Sequence, residues 1–183
     1  MAIVFSKTAT ADPLDCHLYI NNQQLQIVNT VKMLGIHLDT HLTWCEHINV
    51  TTNKLKSTLY AMNRCKHILN ADLLKTLYYG LVHSRLQYGI SLWGGASVSL
   101  LSRLYVLQKR ALRYIFSRLR GLPGDSLFGR GGILKLLDMR DLEDLKLAFR
   151  FHNNLLPSPI SAFFLPGMIS FTSMALETQL RFI

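Results

Sequence analysis

The chain has 183 residues, 49% hydrophobic and 17% charged, with a formal net charge of +9 and a mean hydropathy of +0.19. Three widely spaced cysteines, Cys16, Cys45 and Cys65, exclude a disulfide framework, and the short apolar run after Met1 excludes a secretory signal peptide. The basic excess points to a polyanionic partner, either nucleic acid or an anionic membrane surface.

The first third reads as strands. AIVF is a short apolar run, and CHLYI and QLQIV flank Asn21-Asn22, residues that tolerate the positive φ of a tight hairpin turn. VKMLGIHLD reads as a third β-type run, with Gly35 in its middle marking a bulge or a close backbone approach. Three helices follow. Ile48, Leu55, Leu59 and Met62 recur at helical spacing in the first. Asn70 caps the second, Asp72 lies in its first turn, and Leu73, Leu74, Leu77 and Leu81 form its apolar face. Ser97 caps the third, which runs to a stop at Gly121. On that helix Leu104, Leu107, Ala111 and Ile115 cluster on one side, with Arg103, Lys109, Arg110, Arg113 and Arg120 roughly opposite. GLPGDSLFGRGG reads as a flexible linker. RDLEDLKLAFRFHNNLL reads as an amphipathic helix with Leu142, Leu145, Phe149 and His152 inward, ending before Pro157. The uncharged stretch from Leu155 to Leu176 is broken by Pro157, Pro159, Pro166 and Gly167 and reads as a tail, not a membrane span.

Charge is concentrated. Residues 47–120 carry 12 basic residues and one acidic residue, Asp72, whereas residues 1–46 and 121–183 carry no basic excess. The middle is therefore where a polyanion docks, by phosphate contacts and without base-edge readout. Metal chemistry has weak support. The acidic group Asp138, Asp141, Glu143 and Asp144 reads as helix-start residues favoured by the dipole. The run His37, His41, Cys45, His47 lacks the paired short spacing of a zinc site. Tyr88, Trp93, Tyr105 and Tyr114 are able to stack on bases, but aromatics at helical spacing are more often core.

Four collinear segments together resemble one family. VKMLGIHLDTHLTW resembles the segment that follows the catalytic palm in reverse transcriptases of non-LTR retrotransposons, with Met33-Leu34-Gly35 in place of the turn that begins the primer grip. LLKTLYYGLVHSRLQYGISLWGG resembles the next helix, with Tyr78, His83, Leu86, Tyr88, Trp93 and Gly94 in matching order. LQKRALRYIF resembles a further segment, through Leu107, Gln108, Ala111, Arg113 and Ile115, and LKLLDMRDLEDLKLAFRFHNNLLPSPISAFF resembles the next more loosely. The family's aromatic-x-Asp-Asp motif is missing: no two of the eight aspartates are adjacent.

The resemblance implies an α+β fold, predominantly helical, with a small antiparallel β element and a thumb-like helical bundle. The expected divisions are 1–46 (residual palm edge), 47–120 (basic bundle) and 121–183 (linker, helix and apolar tail). It implies a fragment truncated at both ends, with RNA and DNA as a template–primer duplex for partners, alongside the missing fingers and palm portion. Leu34 and Gly35 would position the primer, and Lys54, Lys56, Arg103, Lys109, Arg110, Arg113 and Arg120 would meet phosphates. No cofactor is expected in this chain, two Mg2+ ions belonging only to the complete parent enzyme, and no polymerisation is expected from the chain alone. With no targeting signal, an intracellular location, nucleus or cytoplasm, is expected. The competing readings are a non-enzymatic remnant or interaction scaffold, and a membrane-surface amphipathic protein.

Overall fold

The computed structural model describes residues 2–5, 17–116 and 123–157. The chain divides into two compact units, Met1–Leu136 and Leu137–Ile183. The class is α+β with helices predominating.

The first unit opens with two small hairpins. β1 (Tyr19–Ile20) pairs antiparallel with β2 (Gln23–Gln24) across Asn21 and Asn22, both at positive φ, 49° and 61°. That left-handed pair is what a two-residue hairpin turn needs and what asparagine tolerates. Ala2 adds a parallel bridge to Ile27, donating to the Gln26 carbonyl at 2.9 Å.

VKMLGIHLD is not one strand with a bulge. It folds into β3 (Thr30–Met33) and β4 (Ile36–Asp39), with Met33 opposite Ile36. Leu34 and Gly35 take φ values of 48° and 84°, so the glycine serves a reversal of chain direction and not an extra residue within a strand. After β4 the Asp39 carboxylate accepts from the backbone N–H groups of His41, Thr43 and Trp44 at 3.2, 2.8 and 2.8 Å. Those bonds hold a loop in which Leu42 and Trp44 are also left-handed, and they deliver the chain to α1 (Cys45–Cys65).

α1 buries Ile48, Leu55, Leu59 and Met62, the positions its periodicity marks. α2 (Ala71–Leu77) is capped by Asn70, whose side chain accepts from the Leu73 N–H at 2.9 Å. The inward face of this region differs from the expected one: Leu73 and Leu81 are exposed, and the buried residues are Leu74, Tyr78, Val82 and Leu86. These recur every four residues, wider than the α-helical repeat of 3.6. The chain accommodates them by loosening into a π-helical segment, Tyr78–His83, before resuming as α3 (Ser84–Gln87). Tyr88 then turns extended and Gly89 left-handed, φ 64°, which ends α3 and starts α4 (Ile90–Trp93).

α5 (Val98–Ile115) buries Leu101, Leu104, Leu107, Ala111, Leu112 and Ile115. It ends at Ile115, before the expected stop at Gly121, which lies outside the described residues. Ser97 precedes it without a capping bond, its hydroxyl lying 3.1 Å from that of Ser99. One core position is polar: Gln108 is fully buried, and its amide donates to the Tyr78 hydroxyl and the Leu134 carbonyl, both at 2.9 Å. Burial pushes the Tyr78 phenol up to about 12.

Part of the segment expected as a flexible linker is ordered. α6 (Ser126–Gly131) buries Leu127 and Phe128, and the Phe128 ring stacks on Tyr105 at 5.7 Å. The apolar contact outweighs the glycine content here, because a buried phenylalanine contributes more than the backbone entropy that nearby glycines cost. In the second unit, α7 (Leu136–His152) leaves Leu142, Phe149 and His152 exposed, although periodicity assigned them inward. Leu142, Leu145, Phe149 and Leu155 line a shallow apolar groove there. Among the described residues no helix is long and apolar enough to cross a membrane.

Candidate nucleic-acid interface

α1 and α5 pack side by side in the same direction. Near their starts, Arg103 of α5 donates to the Asn49 side chain of α1 at 3.4 Å. Near their ends, Lys66 just past α1 lies 5.3 Å from the Tyr114 ring, and Arg110 donates to the Tyr114 hydroxyl at 2.6 Å. The apolar stripes of the two helices seal the seam beneath, so the cations project outward along it. Arg103, Arg110 and Arg113 are all exposed, and none of their described contacts is to a carboxylate. Arg103 and Arg110 share one side of α5, because a seven-residue step returns to nearly the same direction, whereas Arg113 is turned about 80° further round the helix, toward Gly124.

Lys109 differs from them. It is half-buried, its ammonium lying 3.8 Å from the Asp125 carboxylate and 4.5 Å from the Tyr105 ring centre. Asp125 also accepts from the Tyr105 hydroxyl at 2.6 Å. That bond, more than the nearby Lys109 and Lys135 charges, holds the Asp125 carboxyl below its ordinary range. Lys109 is therefore drawn toward the loop that precedes α6, and Gly124 of that loop closes on its side chain and on the Arg113 guanidinium beside it. Arg120 lies outside the described residues.

The two α1 lysines point to opposite flanks, since a two-residue step turns about 200° around a helix. Lys56 follows Asn49 by seven residues and shares the flank that meets α5. Lys54 lies on the other flank. There Arg85 of α3 donates to the Lys54 carbonyl at 3.3 Å and to the Thr58 hydroxyl. This is also the flank that faces β4, through His47, whose Nδ1 accepts the His37 N–H at 3.4 Å.

The Leu34–Gly35 turn belongs to this second side. Leu34 is 83% exposed at the tip. The Tyr88 hydroxyl donates to its carbonyl at 2.5 Å, and the Tyr88 ring lies against Gly35. Below, Ile36 packs on Gly89, and the Trp93 indole donates to the Tyr88 carbonyl at 2.9 Å. Most of the predicted site residues thus divide into two groups on opposite flanks of α1. Lys56, Arg103 and Arg110 lie along the α1–α5 seam, and Leu34, Gly35 and Lys54 lie on the other side, while Lys109 and Arg113 turn toward the loop at Gly124 and Asp125. Sequence reasoning missed Arg85 and Lys66. Neither sits in the basic stripe of α5, and only tertiary packing brings them to these surfaces.

The aromatic candidates are mostly committed. Trp93 is fully buried, Tyr105 is stacked on Phe128, and Tyr114 sits between Lys66 and Arg110. Tyr88 is 55% exposed but spends its hydroxyl on the turn. The histidine run does not converge: His37 and His47 have ring centres 6.3 Å apart, and among the described residues no three His, Cys, Asp or Glu side chains gather where they could hold a metal. Burial, with His37 and Lys54 adding to it, lowers the His47 pKa. In α7, Asp141 pairs with Arg140 and Glu143 with Lys146, each at 2.8 Å.

Comparison with known proteins gives two relatives. Over 110 residues the chain is 31% identical to a probable RNA-directed DNA polymerase from transposon BS of Drosophila melanogaster, a stretch covering 58% of this chain and 12% of that protein. Over 101 residues it is 26% identical to a probable RNA-directed DNA polymerase from transposon X-element of the same fly, covering 54% of this chain and 11% of that protein. The chain thus matches only a small part of the length of these relatives, and it is related in sequence to that part. No family model matches it, and no solved structure matches it.

Proposed function

We propose that this chain, related in sequence to a segment of transposon-encoded RNA-directed DNA polymerases, acts as the thumb-like, post-catalytic part of such an enzyme and grips a template–primer duplex through its phosphates. The observation that carries this reading is the α1–α5 seam: Lys56, Arg103 and Arg110 are exposed along it and Arg113 is exposed on the adjoining face of α5, while Asp72 is the one acidic residue among positions 47–120. An ordinary solvated helix face intersperses both signs. A face of one sign repels itself unless an anion neutralises it, and a nucleic-acid backbone supplies such anions at regular spacing. Contacts of this kind fix position and register without reading bases.

The second surface fits the same role. The Leu34–Gly35 turn, held by the Tyr88 hydroxyl, presents an apolar tip on the side of α1 that also carries Lys54 and Arg85, suited to a strand end lying at that flank. Polymerisation requires two metal ions about 3.5–4 Å apart held by carboxylates, and no adjacent aspartates exist in this sequence. The metal ions, the fingers and the palm are assigned to the remainder of the parent enzyme, and this chain binds without synthesising.

Fluorescence anisotropy with a labelled RNA–DNA hybrid, followed over a range of salt concentrations, tests the reading. Log affinity should fall linearly with log salt, at a slope of about −0.9 for each phosphate neutralised. A flat salt response, or binding to anionic vesicles without binding to hybrid, overturns it. Primer extension should give no product, and synthesis would overturn the assignment of the metal site elsewhere.

A further inference from the structure

The outward face of α1 holds an aromatic residue that neither the core nor the seam explains. Tyr60 is 67% exposed, whereas Trp93 and Tyr78 are fully buried. Its neighbours on the helix surface, three and four residues away on each side, are Lys56, Ser57, Asn63 and Arg64, so the ring stands alone in a polar surround. A helix face made to dock another protein clusters apolar residues about its aromatic anchor. Here the anchor is flanked by two cations instead. Lys56 and Arg64 lie one turn below and one turn above it, about 6 Å in either direction along the axis. The single carboxylate on α1 is Glu46, in its first turn, roughly 21 Å from Tyr60 along the axis. Tyr60 also shares the flank of Asn49 and Lys56, and it lies between the two points, Asn49–Arg103 and Lys66–Tyr114, at which α1 and α5 are tied.

We propose that Tyr60 is a base-stacking site: its ring receives an unpaired nucleobase from a single-stranded extension of the duplex held along the seam, with Lys56 and Arg64 on the phosphates of that strand. This rests on the nucleic-acid reading above and deepens it. Every base presents a π-face, so such a platform tolerates any sequence. A base inside a duplex is stacked on its neighbours and closed to a ring on a helix surface, so the ligand is a single strand.

The test compares anisotropy titrations of the full chain with two probes: a blunt RNA–DNA hybrid, and the same hybrid carrying an unpaired extension of about four nucleotides, made once as RNA and once as DNA. The extension should strengthen binding by about fivefold or more. Tyr60→Ala should abolish that gain and leave blunt-hybrid affinity unchanged, while Tyr60→Phe, which keeps the ring, should retain it. Thermal melting of both variants checks that the helix is intact. An extension without effect, a gain that survives Tyr60→Ala, or an equal loss for both probes in that variant overturns the stacking site while leaving phosphate contact in place. Failure of both probes to bind overturns both readings at once.

Discussion

The contrast between Lys109 and Arg110, adjacent in sequence, is the sharpest consequence of the tertiary arrangement. By residue type the two are equivalent phosphate ligands. By geometry they are not: Arg110 is exposed on the seam, whereas Lys109 is half-buried with Asp125 at 3.8 Å. A cation already beside a carboxylate releases few counterions when it approaches a phosphate. Arg103→Gln, Arg110→Gln and Arg113→Gln should therefore each flatten the salt dependence of hybrid binding by about 0.9 in slope, and the triple variant by about 2.7. Between 50 and 200 mM salt, each such contact corresponds to roughly a 3.5-fold change in affinity. Lys109→Gln should change the slope by well under half of the single-arginine effect. Asp125→Asn should steepen the slope, because it removes the competing charge while its side-chain oxygen still accepts from Tyr105. The measurement is anisotropy of a labelled RNA–DNA hybrid across a salt series, at fixed pH, for all six variants. If Lys109→Gln matched Arg110→Gln, or if the triple variant kept the parent slope, the assignment of phosphate contacts to the exposed arginines of α5 would be wrong.

Three further predictions concern the scaffold. Gln108→Leu leaves the Tyr78 hydroxyl and the Leu134 carbonyl without their buried donor, at about 1–3 kcal/mol each before the gain in apolar burial; a net loss of about 2–3 kcal/mol should appear in urea titrations. Gly89→Ala puts a methyl group 2.6 Å from the Ile36 side chain at a φ of 64° and should cost about 1–3 kcal/mol, whereas Gly80→Ala, with open space around it, should be neutral or stabilising by up to about 1 kcal/mol in the same assay. Stability should also fall at both ends of the pH range. The folded Tyr78 phenol titrates at about 12, above the ordinary 10, so its contribution is complete below pH 10 and is lost as pH rises toward 12, which Tyr78→Phe should abolish in alkaline melting curves. The folded His47 pKa is lowered, so its contribution is present above about pH 6.5 and lost as pH falls below it, which His47→Gln should flatten.

Much of the first unit could be read from local chemistry. The Asn21-Asn22 turn, the Asn70 cap and the inward residues of α1 and α5 follow from backbone preference and periodicity, properties carried by a few consecutive residues. So does the concentration of positive charge between residues 47 and 120. What local pattern could not supply is whatever depends on partners far along the chain. The four-residue stripe from Leu74 to Leu86 reads as an imperfect α-helix until the π-segment is seen, because only packing against the rest of the core repays the widened turn. The Gly-rich stretch reads as a linker because its helix depends on Phe128 finding Tyr105, 23 positions earlier. The candidate interface divides in the same way. Composition marked the cations, but whether each faces solvent or a carboxylate, and on which flank of α1, was decided by α5, α3 and the loop at Asp125. Charge belongs to a residue, whereas its availability to a phosphate belongs to the fold.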